Sequence, residues 1–196
     1  MLARRETEGR PVRVGLIGAG QMGRGMVAQI QQIKGMQVIA IADVVLENAV
    51  AAYRIAGVPE ERFTRSNQLL HAQTAIERGQ WVVTEEADVV LQLPMVDAII
   101  DATGVPEIGA QVAYKAIQNK KHIVMLNVEA DVTVGPILNQ MAQSAGVVYT
   151  GAAGDEPAAI MELYDFADAI GFDIVALGKG KNNPLRWDAT PDSTRE

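Results

Sequence analysis

The sequence contains no cysteine among its 196 residues, and this absence excludes several kinds of site. Disulfide bonds, zinc–thiolate centres, iron–sulfur clusters and cysteine nucleophiles all require the missing thiol. Basic residues are outnumbered by acidic ones, 17 against 24, which gives a formal net charge of −7. Surfaces that bind nucleic acid or anionic lipid need clustered lysine and arginine, so neither partner is expected.

Long apolar runs are missing as well. No stretch has the length needed to cross a bilayer, and no apolar leader precedes Pro11. Hydrophobic residues nevertheless make up 48% of the chain, enough to form a core. These features predict a soluble cytoplasmic protein that has no membrane partner.

Short apolar runs alternate with helical segments along the chain. Strands are predicted at 12–17, 36–42, 81–83, 96–102, 122–126, 147–149 and 173–177, and helices at 25–32, 46–56, 66–78, 107–119, 132–145 and 158–170. Near-continuous apolar strands separated by helices are typical of a parallel sheet covered on both faces. We therefore predict an α/β fold with a doubly wound parallel sheet, in which segment 60–94 elaborates the same domain.

The composition changes after Gly178, and a domain boundary is expected between Tyr149 and Asp155. We predict one domain over 1–152 and the start of a second, catalytic or oligomerisation domain over 153–196. That second segment is too short to build a core of its own. The chain is therefore expected to be part of a longer protein.

The sequence Gly18-Ala19-Gly20-Gln21-Met22-Gly23 follows the first predicted strand directly and precedes a predicted helix. In a Rossmann-type fold this pattern binds a dinucleotide. The first glycine makes the turn, the second lets the backbone approach the pyrophosphate, and the third packs helix against strand. The helix N-terminus then faces the phosphates.

Asp43 ends the second predicted strand, 20 positions after Gly23. This is the expected place for a carboxylate that accepts hydrogen bonds from the adenosine ribose. Because Asp43 would repel a 2′-phosphate and Val44 and Val45 carry no charge, NAD(H) is favoured and NADP(H) is the alternative. Arg24 is expected to point along the helix. A glycine loop followed by an acid also occurs in S-adenosylmethionine methyltransferases, although their loops usually lack the third glycine.

A second turn, Asp101-Ala102-Thr103-Gly104, ends a later predicted strand. At the carboxyl end of a parallel strand such a turn suits the nicotinamide ribose. The same four residues are equally typical of an ordinary turn at the end of a strand.

The sequence resembles the homoserine-dehydrogenase-like NAD(P)-dependent oxidoreductases. The similar segments are VGLIGAGQMGRG (14–25), DATGVP (101–106), HIVMLNVEADVTVGP (122–136), YTGAAGDEP (149–157) and GKGKNNPL (178–185). The resemblance is greatest to the branch that often carries a C-terminal SAF domain and includes the type II, DXR-like, 1-deoxy-D-xylulose 5-phosphate reductoisomerases. It implies a small-molecule substrate, a homo-oligomer and a chain longer than this one. Homoserine dehydrogenases have lysine directly after the asparagine equivalent to Asn127, where this chain has Val128. Homoserine is therefore not the expected substrate.

Motif and resemblance together predict the site residues. The cofactor is expected to contact Gly18, Gly20, Gln21, Met22, Gly23, Asp43, Ala102, Thr103, Gly104 and Asn127. The candidate catalytic residues are Lys179, Lys181, Glu129, Asp155 and Glu156.

A lysine with a lowered pKa is suited to act as the acid or base, and a second cation to hold a phosphate or carboxylate. Asp155 and Glu156 equally fit a helix cap, and Glu129 a solvent-facing position. These three acids together also fit a divalent metal, although no metal is predicted. The leading hypothesis is an NAD(P)-dependent dehydrogenase or reductase acting on CH–OH groups. The alternative is a nucleotide-binding or redox-sensing module without turnover.

Overall fold

The computed structural model describes residues 1–152, 158–178, 187–188 and 190. The chain divides into two compact units, Met1–Ala152 and Ala153–Glu196. The elements of the first unit are α1 (Leu2–Thr7), β1 (Val12–Ile17), α2 (Gln21–Ile30), β2 (Met36–Ala42), α3 (Leu46–Ile55), a 3-10 turn (Glu60–Arg62), β3 (Phe63–Arg65), α4 (Leu69–Glu77), β4 (Trp81–Thr84), α5 (Ala87–Gln92), β5 (Ala98–Asp101), α6 (Pro106–Gln118), β6 (His122–Met125), α7 (Val128–Ala145) and β7 (Tyr149–Gly151). The second unit contains α8 (Ala158–Ala169).

The first unit is built on a seven-stranded sheet with the order β3-β4-β2-β1-β5-β6-β7, and every pair is parallel. Apolar side chains fill both faces: one cluster includes Ile99 and Ile123, and the other includes Leu16 and Ile41. The predicted doubly wound parallel α/β sheet is confirmed. Segment 60–94 contributes β3 and β4 to this sheet, so it extends the same layer.

The register of the strands determines which strand ends lie side by side at the candidate site. Ile17 pairs with Ala42 on one side and with Asp101 on the other, and Met125 continues the row beyond Asp101. Because these residues end their strands, the loops that follow them emerge side by side. The chain runs from β1 to β2 and later crosses to β5 on the opposite side of β1, so a crevice opens at the carboxyl end of β1.

Some predicted boundaries were wrong. Helix α7 begins at Val128 rather than at residue 132, because the Asn127 side chain accepts a hydrogen bond from Ala130 N and caps it. The strand predicted at 147–149 lies at Tyr149–Gly151. The strand predicted at 173–177 is absent: these residues form no strand, and Val175 is 96% exposed. Helix α1 had no counterpart in the predictions.

Candidate functional site: a crevice at the carboxyl end of the sheet

The glycine loop lies where β1 ends and α2 begins. Gly18 has a φ of +93°, a conformation that favours glycine, and its N–H donates to Ala42 O at 2.8 Å. A Cβ atom on Gly18 would lie 2.6 Å from Ala102 O. Gly18 is therefore required by the close approach of the loop to the end of β5.

The other two glycines differ in what surrounds them. A Cβ on Gly23 would collide with Gly18 O, so the packing of α2 against the loop requires this glycine. A Cβ on Gly20 would meet no atom within 4 Å, and Gly20 is exposed. Packing inside the protein therefore does not explain Gly20, whereas open space beside the backbone is what a pyrophosphate needs.

The start of α2 is not capped by a side chain. Gly20 is the N-cap residue, no side chain caps the helix, and its first turn contains no acid. The first N–H groups of a helix have no partner within it, so they attract an anion. Gln21 and Met22 lie on this first turn and are exposed. The described residues thus fit the diphosphate of a dinucleotide.

Asp43 follows β2 and is tied to the glycine loop. Its Oδ2 accepts from Ala19 N at 2.7 Å, and its Oδ1 accepts from Val45 N at 2.9 Å and from Asn48 Nδ2 at 3.1 Å. A carboxylate offers about four lone-pair sites, so one site is left for a ribose hydroxyl. The carboxylate is thereby held in place before any ligand binds.

Arg24 does not point along the helix as predicted. Its Nε donates to Ala19 O at 2.9 Å, and its Nη2 donates to Asn48 Oδ1 at 2.6 Å. The guanidinium therefore lies over the glycine loop, because the loop carbonyl and the Asn48 amide both accept from it. We call the group of Gly18, Gly20, Arg24, Asp43 and Asn48 the loop side of the crevice.

The opposite wall, which we call the Asp101 side, contains Asp101, Thr103 and Asn127. Asp101 is fully buried, and its Oδ1 accepts from Thr103 N at 3.1 Å while its Oδ2 has no partner. Burial raises the pKa of Asp101, and the hydrogen bond from Thr103 N opposes the rise. Asn127 Nδ2 donates to Val105 O at 2.9 Å and to Thr103 Oγ1 at 3.2 Å.

A cavity of about 190 Å³ lies between the two walls and is lined mainly by apolar atoms. Its lining includes Gly18, Asp43 and Val44 from the first wall, and Thr103, Val105 and Ile108 from the second. Gly104 lies in the same turn as Thr103 and has a φ of +67°. The structure thus brings the predicted loop residues, Asp43 and the Ala102–Thr103–Gly104 turn to one crevice, with Asn127 behind Thr103.

The candidate catalytic residues are only partly described. Glu129 lies in the first turn of α7 and is exposed. Asp155, Glu156, Lys179 and Lys181 lie outside the described residues. Within the part of the chain that the structure describes, no three His, Asp or Glu side chains gather as a metal site. The proposed roles of these residues therefore stay predictions.

Sequence reasoning missed three polar contacts. Asn48 carries no motif signal, because its importance comes from standing between Asp43 and Arg24. Tyr149 donates to Asp131 Oδ1 at 2.7 Å, and burial together with this carboxylate raises the pKa of Tyr149. Lys121 is buried at the amino edge of the sheet and donates to Leu93 O and Val96 O, which makes it structural.

Fold, glycine loop and Asp43 define the class of a dinucleotide-binding α/β domain. Residues 18–150 match the family described as "Homoserine dehydrogenase, NAD binding domain", and residues 154–196 match "Oxidoreductase DRL, catalytic domain". The first match covers more than half of the chain. The chain therefore belongs to the homoserine dehydrogenase NAD-binding domain family.

One relative and two solved structures show what else this chain is similar to. A homoserine dehydrogenase from Methylobacillus glycogenes is 25% identical over 118 residues, which are 60% of this chain and 25% of that protein. The WlbA dehydrogenase of Bordetella pertussis, solved with NADH and UDP-GlcNAcA, has a TM-score of 0.60 at 20% identity. The match covers 83% of this chain and 44% of the WlbA chain. For the myo-inositol dehydrogenase of Lactobacillus casei, solved with NAD(H) and myo-inositol, the TM-score is 0.56 at 21% identity, with 80% and 42% covered.

The two structures share the fold with this chain. The chain spans less than half the length of each of these three relatives. Among the described residues, no helix combines the length and the apolar character needed to cross a membrane.

Proposed function

We propose that this chain is the cofactor-binding part of a dehydrogenase that prefers NAD(H) and acts on a small polar hydroxy or oxo compound. The observation that carries the proposal is the open space at Gly20 beside the uncapped start of α2, next to Ala19, whose N–H donates to Asp43. NAD supplies reversible hydride transfer when bound. The chain's own residues would hold its phosphates at the loop, its adenosine ribose at Asp43, and its other ribose along Thr103.

The preference for NAD(H) depends on Asp43. A hydrogen bond to a charged group contributes about 1.5–3 kcal/mol, so Asp43→Ser should weaken NADH binding about tenfold or more. The same change removes the repulsion of a 2′-phosphate, so NADPH binding should improve. Fluorescence titration with each cofactor measures both effects. Asp88→Ser is the matched control, because Asp88 is an exposed acid paired with Lys115. An unchanged preference in Asp43→Ser would show that this carboxylate is not at the ribose.

We propose that the substrate is one used by the divergent DXR-like branch rather than the homoserine used by homoserine dehydrogenases proper. Val128, not lysine, follows Asn127, and the match of residues 154–196 to "Oxidoreductase DRL, catalytic domain" supports that direction. A reductoisomerase on a hydroxyketone phosphate is the finer form of this proposal. Lys179 and Lys181 are the proposed acid–base and anion-holding groups, and the homo-oligomer and the cytoplasmic location stay predictions.

The experiment is a cofactor titration followed by turnover assays. NADH should give enhanced fluorescence and a raised melting temperature. A panel of polyols, hydroxy acids and sugar phosphates, with homoserine included, then identifies the substrate class. Absence of any NADH signal would refute the proposal. Binding without turnover across the panel would instead support a nucleotide-binding module, and tight S-adenosylmethionine binding would favour a methyltransferase.

A further inference from the structure

A second groove lies at the edge of the sheet, between the first half of α7 and strand β7. We call it the edge groove, and its volume is about 510 Å³. Its lining includes Asp131, Pro136 and Asn139 from α7, and Tyr149 and Gly151 from β7. Among the described residues that line it, none is basic and Asp131 carries the only charge. The groove is therefore polar and slightly acidic.

The Asp131 carboxylate is held in this groove by Tyr149. Tyr149 Oη donates to Asp131 Oδ1 at 2.7 Å. A Cβ on Gly135 would collide with that same oxygen, so the carboxylate can lie here because residue 135 is glycine. No residue in the described part of the chain donates to Asp131 Oδ2. This oxygen can therefore accept a hydrogen bond from a ligand.

Pro136 provides a second acceptor. It lies inside α7 and has no N–H, so the carbonyl of Val132, four residues earlier, loses its usual helical donor. Val132 lines the same groove. Gly135 and Pro136 are both unfavourable inside a helix, and each leaves an acceptor in the groove.

The edge groove offers donors as well. Asn139 lines it from α7, is exposed, and carries two N–H groups on its amide. Strand β7 is the edge strand of the described sheet. Because Ala152 N donates to Met125 O of β6, the N–H of the preceding Gly151 points to the open edge. Acceptors and donors placed side by side fit neighbouring hydroxyl groups, since each hydroxyl both donates and accepts.

The strand register places the edge groove next to the cofactor crevice. Met125 pairs with Asp101 on one side and with Gly151 on the other. Neighbouring strands lie about 4.8 Å apart, so Gly151 is roughly 10 Å from Asp101 along the carboxyl edge of the sheet. A small substrate that reacts beside Thr103 and extends along this edge would reach the groove.

We propose that the edge groove binds the hydroxyl-bearing end of the substrate, which is therefore a polyol or sugar derivative. This inference rests on the proposed function, since it assumes that the nicotinamide lies along Thr103. Asp131 Oδ2 and the Val132 carbonyl accept from neighbouring hydroxyls, and the Asn139 amide donates to one of them. A phosphate on the same substrate would lie outside the groove, because Asp131 would repel it.

The test is an NMR titration of the isotopically labelled 196-residue chain, with and without NADH. Xylitol should shift the backbone amide signals of Gly135, Asn139 and Gly151 in a saturable way, and NADH should not displace it. Pentane-1,5-diol, which lacks the inner hydroxyls of xylitol, should bind about tenfold or more weakly. Inorganic phosphate should leave these signals unchanged.

Variants of the groove identify the groups that bind. Asp131→Asn should lower the affinity for xylitol about tenfold or more, because it removes the charged acceptor while keeping an oxygen for Tyr149. Asn139→Ala should lower it about threefold. Gln140→Ala is the matched control for Asn139→Ala, since Gln140 is an exposed amide of α7 outside the groove. Asp88→Asn is the control for charge, and both controls should keep the wild-type affinity.

Three results would overturn the inference: equal xylitol affinities in the wild type and Asp131→Asn, saturable binding of phosphate at the same amides, or displacement of xylitol by NADH. The last would place xylitol in the crevice. Absence of xylitol shifts in a chain that binds NADH would also overturn it and leave the proposed function intact. Absence of NADH binding would overturn the proposed function, and with it the assignment of the groove to the substrate.

Discussion

The two walls of the crevice satisfy their polar groups in different ways. On the loop side, four hydrogen bonds link Asp43, Asn48, Arg24 and Ala19 in a closed ring. On the Asp101 side, a fully buried carboxyl keeps Oδ2 without a partner. A buried polar atom left unpaired is costly, whereas a closed ring is rigid. The loop side is thus held in place by its ring, whereas the Asp101 side contains one buried oxygen without a partner.

Packing enforces this contrast. A Cβ on Gly109 of α6 would lie 2.5 Å from Asp101 Oδ2, so the helix backbone presses directly on the unpaired oxygen. On the loop side, by contrast, the space around Gly20 is empty of protein atoms. Close packing therefore shields the Asp101 carboxyl from water, while the backbone at Gly20 stays open to a ligand.

The largest expected effect compares two glycines of the loop. Gly18→Ala should lower the free energy of unfolding by about 2–4 kcal/mol, because the positive φ and the contact with Ala102 O both oppose a side chain. Gly20→Ala should change it by less than about 0.5 kcal/mol, yet weaken NADH binding about tenfold or more by filling the open space. Urea unfolding and NADH titration measure the two quantities.

Gly25→Ala provides the control on the same helix. Gly25 is exposed, and a Cβ there would meet no atom within 4 Å. This variant should keep NADH binding and gain slightly in stability from helix propensity. If Gly20→Ala behaves like Gly25→Ala, the open space at Gly20 is not a phosphate site.

A smaller effect is expected from Asn127 on the Asp101 side. Asn127→Ala removes the cap of α7 and the hydrogen bonds to Thr103 and Val105. The expected loss of stability is about 2–3 kcal/mol, to which the cap contributes about 1 kcal/mol. Asn127→Ser restores a capping oxygen but not the donor, so it should recover about the cap's share. Equal stabilities of the two variants would contradict the role of Asn127 as a cap.

The smallest effect concerns pH and Asp101. Because burial raises its pKa above the ordinary 3.8, the folded chain binds more protons than the unfolded chain between the two pKa values. Its stabilising contribution is therefore complete below the unfolded pKa and is lost as the pH rises through the folded pKa. Compared with Asp101→Asn, the wild type should lose stability over this interval. Urea unfolding at a series of pH values measures the difference, and a difference constant with pH would contradict the raised pKa.

Several features were predictable because they depend on local pattern. Near-continuous apolar runs predicted the parallel sheet, and the spacing from Gly23 to Asp43 predicted the glycine loop and its acid. The start of α7 was not predictable, because the sequence does not distinguish an asparagine that caps a helix, such as Asn127, from any other asparagine after a strand. The strand predicted at 173–177 is absent for the opposite reason. Its apolar pattern fits a strand, but a strand forms only where another strand pairs with it.

The sequence by itself determined the class of fold, the glycine loop and the acid beside it, because glycines and strand-ending acids act through their immediate neighbours. Only the tertiary structure decided which glycine is open to a ligand, where Arg24 lies and which oxygen of Asp101 is unpaired. Arg24, Asp43 and Asn48 come from three separate elements, and Asp101 meets Gly109 of a different helix. Contacts of this kind depend on how the elements pack, and no spacing along the chain encodes them.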